Sequence, residues 1–228
     1  MKNNLKNGFI SNLPISISVL IYGVVLGVIC TSKSITFIQL ALMNIFIFAG
    51  SSQFVIVDMI NNPINISIVV GSALLINLRY FLITASLNDL FVRSSINKKL
   101  FIVHFVTDES WAVTLNKKKE NENINIYFLL GGGFCIFVSW FIGTSIGYYF
   151  GALISNPKLY GLDFAFLALF ISIVASMYKK RSDLIVYCTT AIIAVILEKT
   201  ISNMSYIIFS SLIGCYIYIF INKREKYE

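Results

Sequence analysis

The sequence predicts an all-α fold: a polytopic integral membrane protein with seven to eight membrane segments, some of them broken or re-entrant. Three observations predict it. Of 228 residues, 57% are hydrophobic and only 13% charged, where a soluble domain carries about 25% charged residues. Mean hydropathy is +0.79. The apolar residues fall in long blocks, without the amphipathic stripe of a soluble helix or the alternation of a membrane β-barrel. No stretch is polar enough for a separate soluble domain, so residues 1–228 read as a single transmembrane domain.

Taken in order, the apolar segments run over 13–31, 36–60, 64–87, 100–115, 125–153, 161–178, 184–197 and 200–221. About 20 residues cross a bilayer as a helix, which most of these supply. The first follows Lys2 and Lys6, as a signal peptide would, but no small-residue cleavage site follows it. It contains Gly23-x-x-x-Gly27, a helix-packing pattern, and reads as a retained first membrane helix. The second is interrupted by Phe48-Ala49-Gly50-Ser51-Ser52-Gln53-Phe54. Gly50 tolerates irregular backbone, and the hydroxyls can bond freed carbonyls. A helix interrupted there, near mid-depth, exposes N–H and C=O groups to the charged ends of a zwitterion.

The third segment carries Asn77-Leu78-Arg79-Tyr80, and the fourth carries Asp108 and Glu109. A charge at bilayer depth costs about 2.5–3.5 kcal/mol on insertion scales, so it needs a partner or a water-filled cavity. Arg79 lies eight residues before Leu87 and Asp108 eight after Leu100. At about 1.5 Å per residue, both sit roughly 12 Å from the same membrane face if the segments form a hairpin. An ion pair between them is expected. It serves either a substrate or only the helix register.

The fifth segment contains Gly143-x-x-x-Gly147-x-x-x-Gly151, a smooth face for close contact with another helix, in this chain or in a partner. Asp163 opens the sixth segment, where N-capping accounts for it. The short segments 100–115 and 184–197 are candidates for broken or re-entrant helices.

The net charge of +7 lies in short loops and tails, as at Lys117–Lys119 and Lys179–Arg181. It reads as cytoplasmic loop charge beside a lipid bilayer, and no nucleic-acid partner is expected. With eight spans and the N-terminus inside, eleven loop or tail basics lie inside and six outside. If 100–115 only dips into the membrane, seven spans remain, the N-terminus is outside, and the counts are thirteen and four. Both arrangements put the 116–124 loop and the C-terminus inside. Cys30, Cys135, Cys188 and Cys215 have no paired spacing and read as small core residues. The lone His104 reads as an enclosed membrane histidine. Metalloprotease, nucleophile-elbow and nucleotide-loop patterns are absent, so no enzyme, metal or cofactor is expected.

Four motifs occur in order: Phe48-Ala49-Gly50-Ser51-Ser52-Gln53-Phe54, Asn77-Leu78-Arg79-Tyr80, Thr107-Asp108-Glu109-Ser110 and Gly161-Leu162-Asp163-Phe164. Together they resemble the AzlC family, the large subunit of bacterial branched-chain amino acid exporters. The resemblance runs over about 13–170; beyond it no family signature is evident. It implies an inner-membrane, multi-pass exporter of neutral, mostly branched-chain amino acids. It also implies a small membrane subunit of the AzlD type. Tyr80 departs from the histidine often found after the motif arginine.

The reading that follows is a secondary transporter. A branched-chain amino acid needs an apolar pocket for its tail and fixed polar groups for its ends. Gly50, Ser51, Ser52 and Gln53 are expected as backbone and amide contacts, with Asn77 beside them. Arg79 would meet a carboxylate, and Asp108 or Glu109 an ammonium or a coupling proton. Trp111, Asp163 and Phe164 are further pocket candidates. The competing class is a non-transporting membrane scaffold or assembly subunit, against which the buried charges speak.

Overall fold

In the computed structural model, the described residues are 2–60, 65–92, 94–120, 124–151, 153, 171, 174–175, 178, 180–200 and 205–225. The chain divides into two compact units, Met1–Phe166 and Leu167–Glu228. All regular structure among the described residues is helical.

The first unit is built on α1 (Lys2–Ser32) and α8 (Ile126–Gly151), which pack together along their length. Both are apolar and longer than the roughly 20 residues needed to cross a bilayer. Small residues bring the two backbones together. Gly143 and Gly147 of α8 face the backbone of Leu20 and Val24, and Gly151 faces Val28. In return, Gly23 of α1 lies against Trp140 and Gly27 against Thr144. The neighbour of the predicted glycine face is therefore the first helix of the same chain. Contact positions rise together along both helices, so α1 and α8 run parallel.

The connection between them contains two broken helices. After α1 the chain turns through Ser34 at φ 59°. Thr36 and Gln39 form a reciprocal capping box that starts α2 (Phe37–Phe46). The chain then leaves helical geometry at Ile47 (φ −124°, ψ 60°) and is extended at Ala49 (φ −150°, ψ 92°). Helix resumes as α3 (Gly50–Asp58). The expected interruption is present. It precedes Gly50, because Gly50 already belongs to the first turn of α3.

α4 (Ile66–Ser86) is capped by the Asn65 side chain and is long and apolar enough to span. Leu74, Leu78, Phe81 and Leu82 are exposed along it, as lipid-facing side chains are. A single turn, α5 (Asn88–Phe91), precedes α6 (Ile96–His104). The second break covers Phe105–Thr107 and is followed by α7 (Asp108–Glu120). Thr107 and Ser110 start α7 by bonding each other's backbone N–H, at 3.2 and 3.0 Å. The two acids thus occupy the first turn and Lys117–Lys119 the last, both favoured by the helix dipole.

The second unit contains α9 (Arg181–Thr200) and α10 (Ser205–Glu225), packed together with Gly214 against Thr190. Cys188 and Cys215 are exposed there, whereas Cys30 and Cys135 are buried in the first unit. The expectation of four core cysteines therefore holds for only two. Asp163 and Phe164 lie outside the described residues.

Candidate functional site

The two breaks face one cavity. It has a volume of about 200 Å³ and is open on one side. Phe46 at the end of α2 and Ile47, Phe48 and Ala49 of the first break line it, together with Val103 and His104 at the end of α6 and Val106 of the second break. Asn77 and Tyr80 of α4 complete it. Ala49 gives α3 no side-chain cap, so the first-turn N–H groups of Gly50, Ser51 and Ser52 remain uncapped by any side chain. Such groups attract anions.

Arg79 and Asp108 stand beside the cavity. The guanidinium Nη2 lies 2.9 Å from Asp108 Oδ2 and donates to Ser51 Oγ at 2.7 Å. This is the pairing expected from matched depth, and it ties α4 to both broken helices. The side chains retain 29% and 37% of their exposure, so the pair is only partly desolvated. Arg79 Nε is buried with no hydrogen-bond partner. A buried donor left unpaired is costly and marks a place for an acceptor. The guanidinium carbon lies 5.1 Å from the centroid of the Tyr80 ring, which borders the cavity.

Ser52 is fully buried and donates to Asn77 Oδ1 at 2.7 Å, which fixes the cavity-lining amide. Gln53 is also fully buried, and its amide is spent inside the protein. Its Nε2 donates to Met43 O and Asn44 Oδ1, both at 3.1 Å, and its Oε1 accepts from Trp140 Nε1 at 2.7 Å. Gly50 packs against the Trp140 ring, where an added Cβ would lie 3.0 Å from the nearest ring carbon. Of the candidates, Asn77 lines the cavity; Ser51, Arg79 and Asp108 form the bonded group next to it, Gly50 packs on Trp140, and Glu109 follows Asp108 in the first turn of α7. Ser52 and Gln53 lie behind it.

Trp111 points elsewhere. Its Nε1 donates to Ser86 Oγ at 2.8 Å, and its ring packs on the cluster of Leu87, Phe91 and Ile102. His104 is not enclosed as expected but lines the cavity, within ring contact of Phe48 and Phe105. Sequence reasoning missed Asn44, Trp140 and Thr144. The available signal was a set of polar groups in the middle of apolar runs.

The AzlC protein family matches residues 14–154, which take in α1 from Pro14 onward, both broken helices and α8. The chain belongs to the AzlC protein family. The branched-chain amino acid transport protein AzlC of Bacillus subtilis is 27% identical over 177 residues, covering 77% of this chain and 68% of that protein. The inner membrane protein YgaZ of Escherichia coli is 26% identical over 210 residues, 90% of this chain and 85% of the relative. A membrane protein of Helicobacter pylori strain J99 is 25% identical over 179 residues, 78% and 77% of the two chains. No solved structure matches. The AzlC match and the three long apolar helices identify a multi-pass membrane protein, and the cavity and ion pair lie inside the matched region.

Proposed function

We propose that this AzlC-family protein is a secondary transporter that exports neutral, branched-chain amino acids, with a small AzlD-type subunit beside it. The observation that carries the reading is a cavity shared by two helix breaks, with an ion pair close by. At about 200 Å³ it is smaller than the clefts of about 300 Å³ and more that hold drug-sized ligands, which suits a small zwitterion. The carboxylate takes the place of Asp108 at Arg79 and reaches the idle Nε. The ammonium takes the place of Arg79 at Asp108. Each buried charge keeps a partner through the exchange, which limits the desolvation cost. Phe46, Ile47, Phe48, Val103 and Val106 supply apolar surface for the branched tail.

The transport name of the Bacillus subtilis relative supports the substrate class. The four-motif resemblance supports outward flux and the small partner. Asp108 or Glu109 is the candidate carrier of a coupling proton, because both are carboxyl groups in the first turn of α7 and Asp108 loses its bond to Arg79 when substrate takes its place. The parallel packing of α1 and α8 supports the eight-span arrangement. Parallel helices need an odd number of crossings between them, and 36–60, 64–87 and a fully crossing 100–115 supply three.

The test is counterflow of radiolabelled leucine, valine and methionine in proteoliposomes, with and without the small subunit. Saturable exchange of branched substrates is expected. An imposed pH gradient should drive accumulation, and an ionophore should abolish it. No exchange in either preparation overturns the reading.

A further inference from the structure

Trp140 is the fifteenth residue of the 26-residue helix α8. That places its indole near mid-depth, whereas membrane tryptophans favour the interfaces. An indole N–H at that depth needs an acceptor. It has two, one on each side of the first break: Asn44 Oδ1 of α2 at 3.1 Å and Gln53 Oε1 of α3 at 2.7 Å. Gln53 Nε2 closes the triangle on Asn44 Oδ1 at 3.1 Å. Asn44 Nδ2 donates to Thr144 Oγ1, one turn along α8, at 2.8 Å. The ring itself lies against Gly50 and meets Phe54 edge-on, with centroids 6.4 Å apart. All four polar residues are buried.

We infer that Trp140 is a positioning residue for substrate: it clamps the ends of α2 and α3 so that the broken backbone between them keeps the shape the cavity needs. This rests on the transport reading above. None of the four side chains lines the cavity, so the action runs through the Ile47–Ala49 backbone and through Ser51, the residue that accepts from Arg79. A helix break of this kind has weak local support. Ala49 N–H bonds Ile47 O at 2.7 Å and Gln53 N–H bonds Ala49 O at 3.0 Å, and α3 has no side-chain cap. The side-chain triangle supplies what the local sequence does not.

Trp140→Phe keeps an aromatic ring near Gly50 but removes the donor. Two measurements on full-length protein in nanodiscs and proteoliposomes test the inference. In hydrogen–deuterium exchange, the peptides covering 43–55 should exchange about tenfold faster than in the parent, while those covering the second break, 103–110, should not change. In counterflow, KM for leucine per folded transporter should rise about tenfold, with maximal exchange within about twofold. Gln53→Leu, which removes one acceptor, should shift both readouts in the same direction. A purely structural role would lower the amount of folded protein and leave the KM of the remainder unchanged. Unchanged exchange at 43–55 overturns the inference whatever happens to transport, and so does faster exchange with unchanged KM. If the parent protein shows no counterflow, the transport reading fails instead, and the exchange measurement alone decides the clamp.

Discussion

The α1–α8 pair and the two broken helices solve the same problem in opposite ways. α1 and α8 run as continuous helices, with Pro14 in α1 as an internal position that has no N–H to donate, and glycines let the two cylinders touch along the Leu20–Val28 stretch. At Ile47–Ala49 and Phe105–Thr107 the helical ladder is interrupted beside a cavity. Irregular backbone survives at membrane depth only where protein or water satisfies it. The continuous pair provides that protein. Gly133 of α8 packs against the Phe105 carbonyl in the second break, and two turns on, Trp140 packs against Gly50 beside the first. One face of a rigid helix backs both irregular sites. The contrast teaches that α8 works as a frame and the breaks as the site, and the two roles should separate under mutation.

The largest expected effect is on the frame. Gly147→Leu drives a side chain into the Val24 carbonyl, where even a Cβ does not fit. Overpacking a tight contact costs about 1–3 kcal/mol and sometimes more. Backbone-on-backbone contact leaves no flexible group to yield, so the yield of monodisperse protein in detergent should collapse. Gly71→Leu is the control, because nothing described lies within 4 Å of its would-be Cβ. Normal yield for Gly147→Leu would show that α1 and α8 are not held by this contact.

Arg79→Ala tests the site. It leaves Asp108 without its cation. Breaking a fully buried pair costs about 3–5 kcal/mol, and the partial exposure of this one lowers that figure. A loss of about 2–3 kcal/mol in transport corresponds to roughly 100-fold. Leucine counterflow should fall by at least that much while the protein stays inserted. Arg79→Ala combined with Asp108→Ala should recover expression without recovering transport. Recovered transport would make the pair a device for helix register only.

Gly50→Leu sits where frame and site meet. The new side chain meets the Trp140 ring, so the first turn of α3 must shift. Transport should be lost with membrane insertion intact, measured as counterflow per inserted molecule. A drop in yield like that of Gly147→Leu would assign Gly50 to the frame.

The two regions differed in how far the sequence disclosed them. The Arg79–Asp108 pair was legible, because two expensive charges at matched depth have few other ways to coexist. The first break was legible from the small and hydroxyl residues of Ala49–Ser52, but its position and cause were not. Helix is lost ahead of Gly50, and Gly50 is needed for close approach to Trp140 rather than for an unusual φ. The glycine face of α8 announced a close neighbour without naming it, since a smooth face carries no information on what it meets. The Asn44–Gln53–Trp140–Thr144 network stayed hidden. Its hydrogen bonds join residues up to 100 positions apart, and each residue alone is one tolerated polar group in an apolar run. For Gln53, expected as a ligand contact, the structure shows an amide bonded to Met43, Asn44 and Trp140 within the protein.

The route of the chain between frame and site gives a test that should leave function untouched. If α6 and α7 together cross the membrane, the 88–99 loop lies opposite the 116–124 loop. Cysteines placed at Ser94 and Ser95 in a background lacking the native thiols should react with an impermeant reagent from outside. A cysteine at Lys118 should not. Transport should stay within about twofold of the parent. Protection at 94 and 95 would mean that the second break dips and returns, and would overturn the eight-span reading.

The smallest effect separates the two tryptophans. Trp140 joins both sides of a break through a buried N–H. Trp111 makes one hydrogen bond, to Ser86 Oγ, at a more exposed place and packs on a cluster away from the cavity. Losing such a bond costs about 0.5–1.5 kcal/mol. Trp111→Phe keeps an aromatic ring on Leu87 and Ile102, so only a small decrease in thermal stability in detergent is expected. Leucine KM and maximal exchange should stay within about twofold. The comparison is sharp because the substitution is chemically the same at both positions, while the acceptors, the burial and the distance from the break differ. If Trp111→Phe raises KM as Trp140→Phe is expected to, then α7 contributes more to the substrate site than its acidic first turn, and the site extends past the cavity between the breaks toward the end of α4.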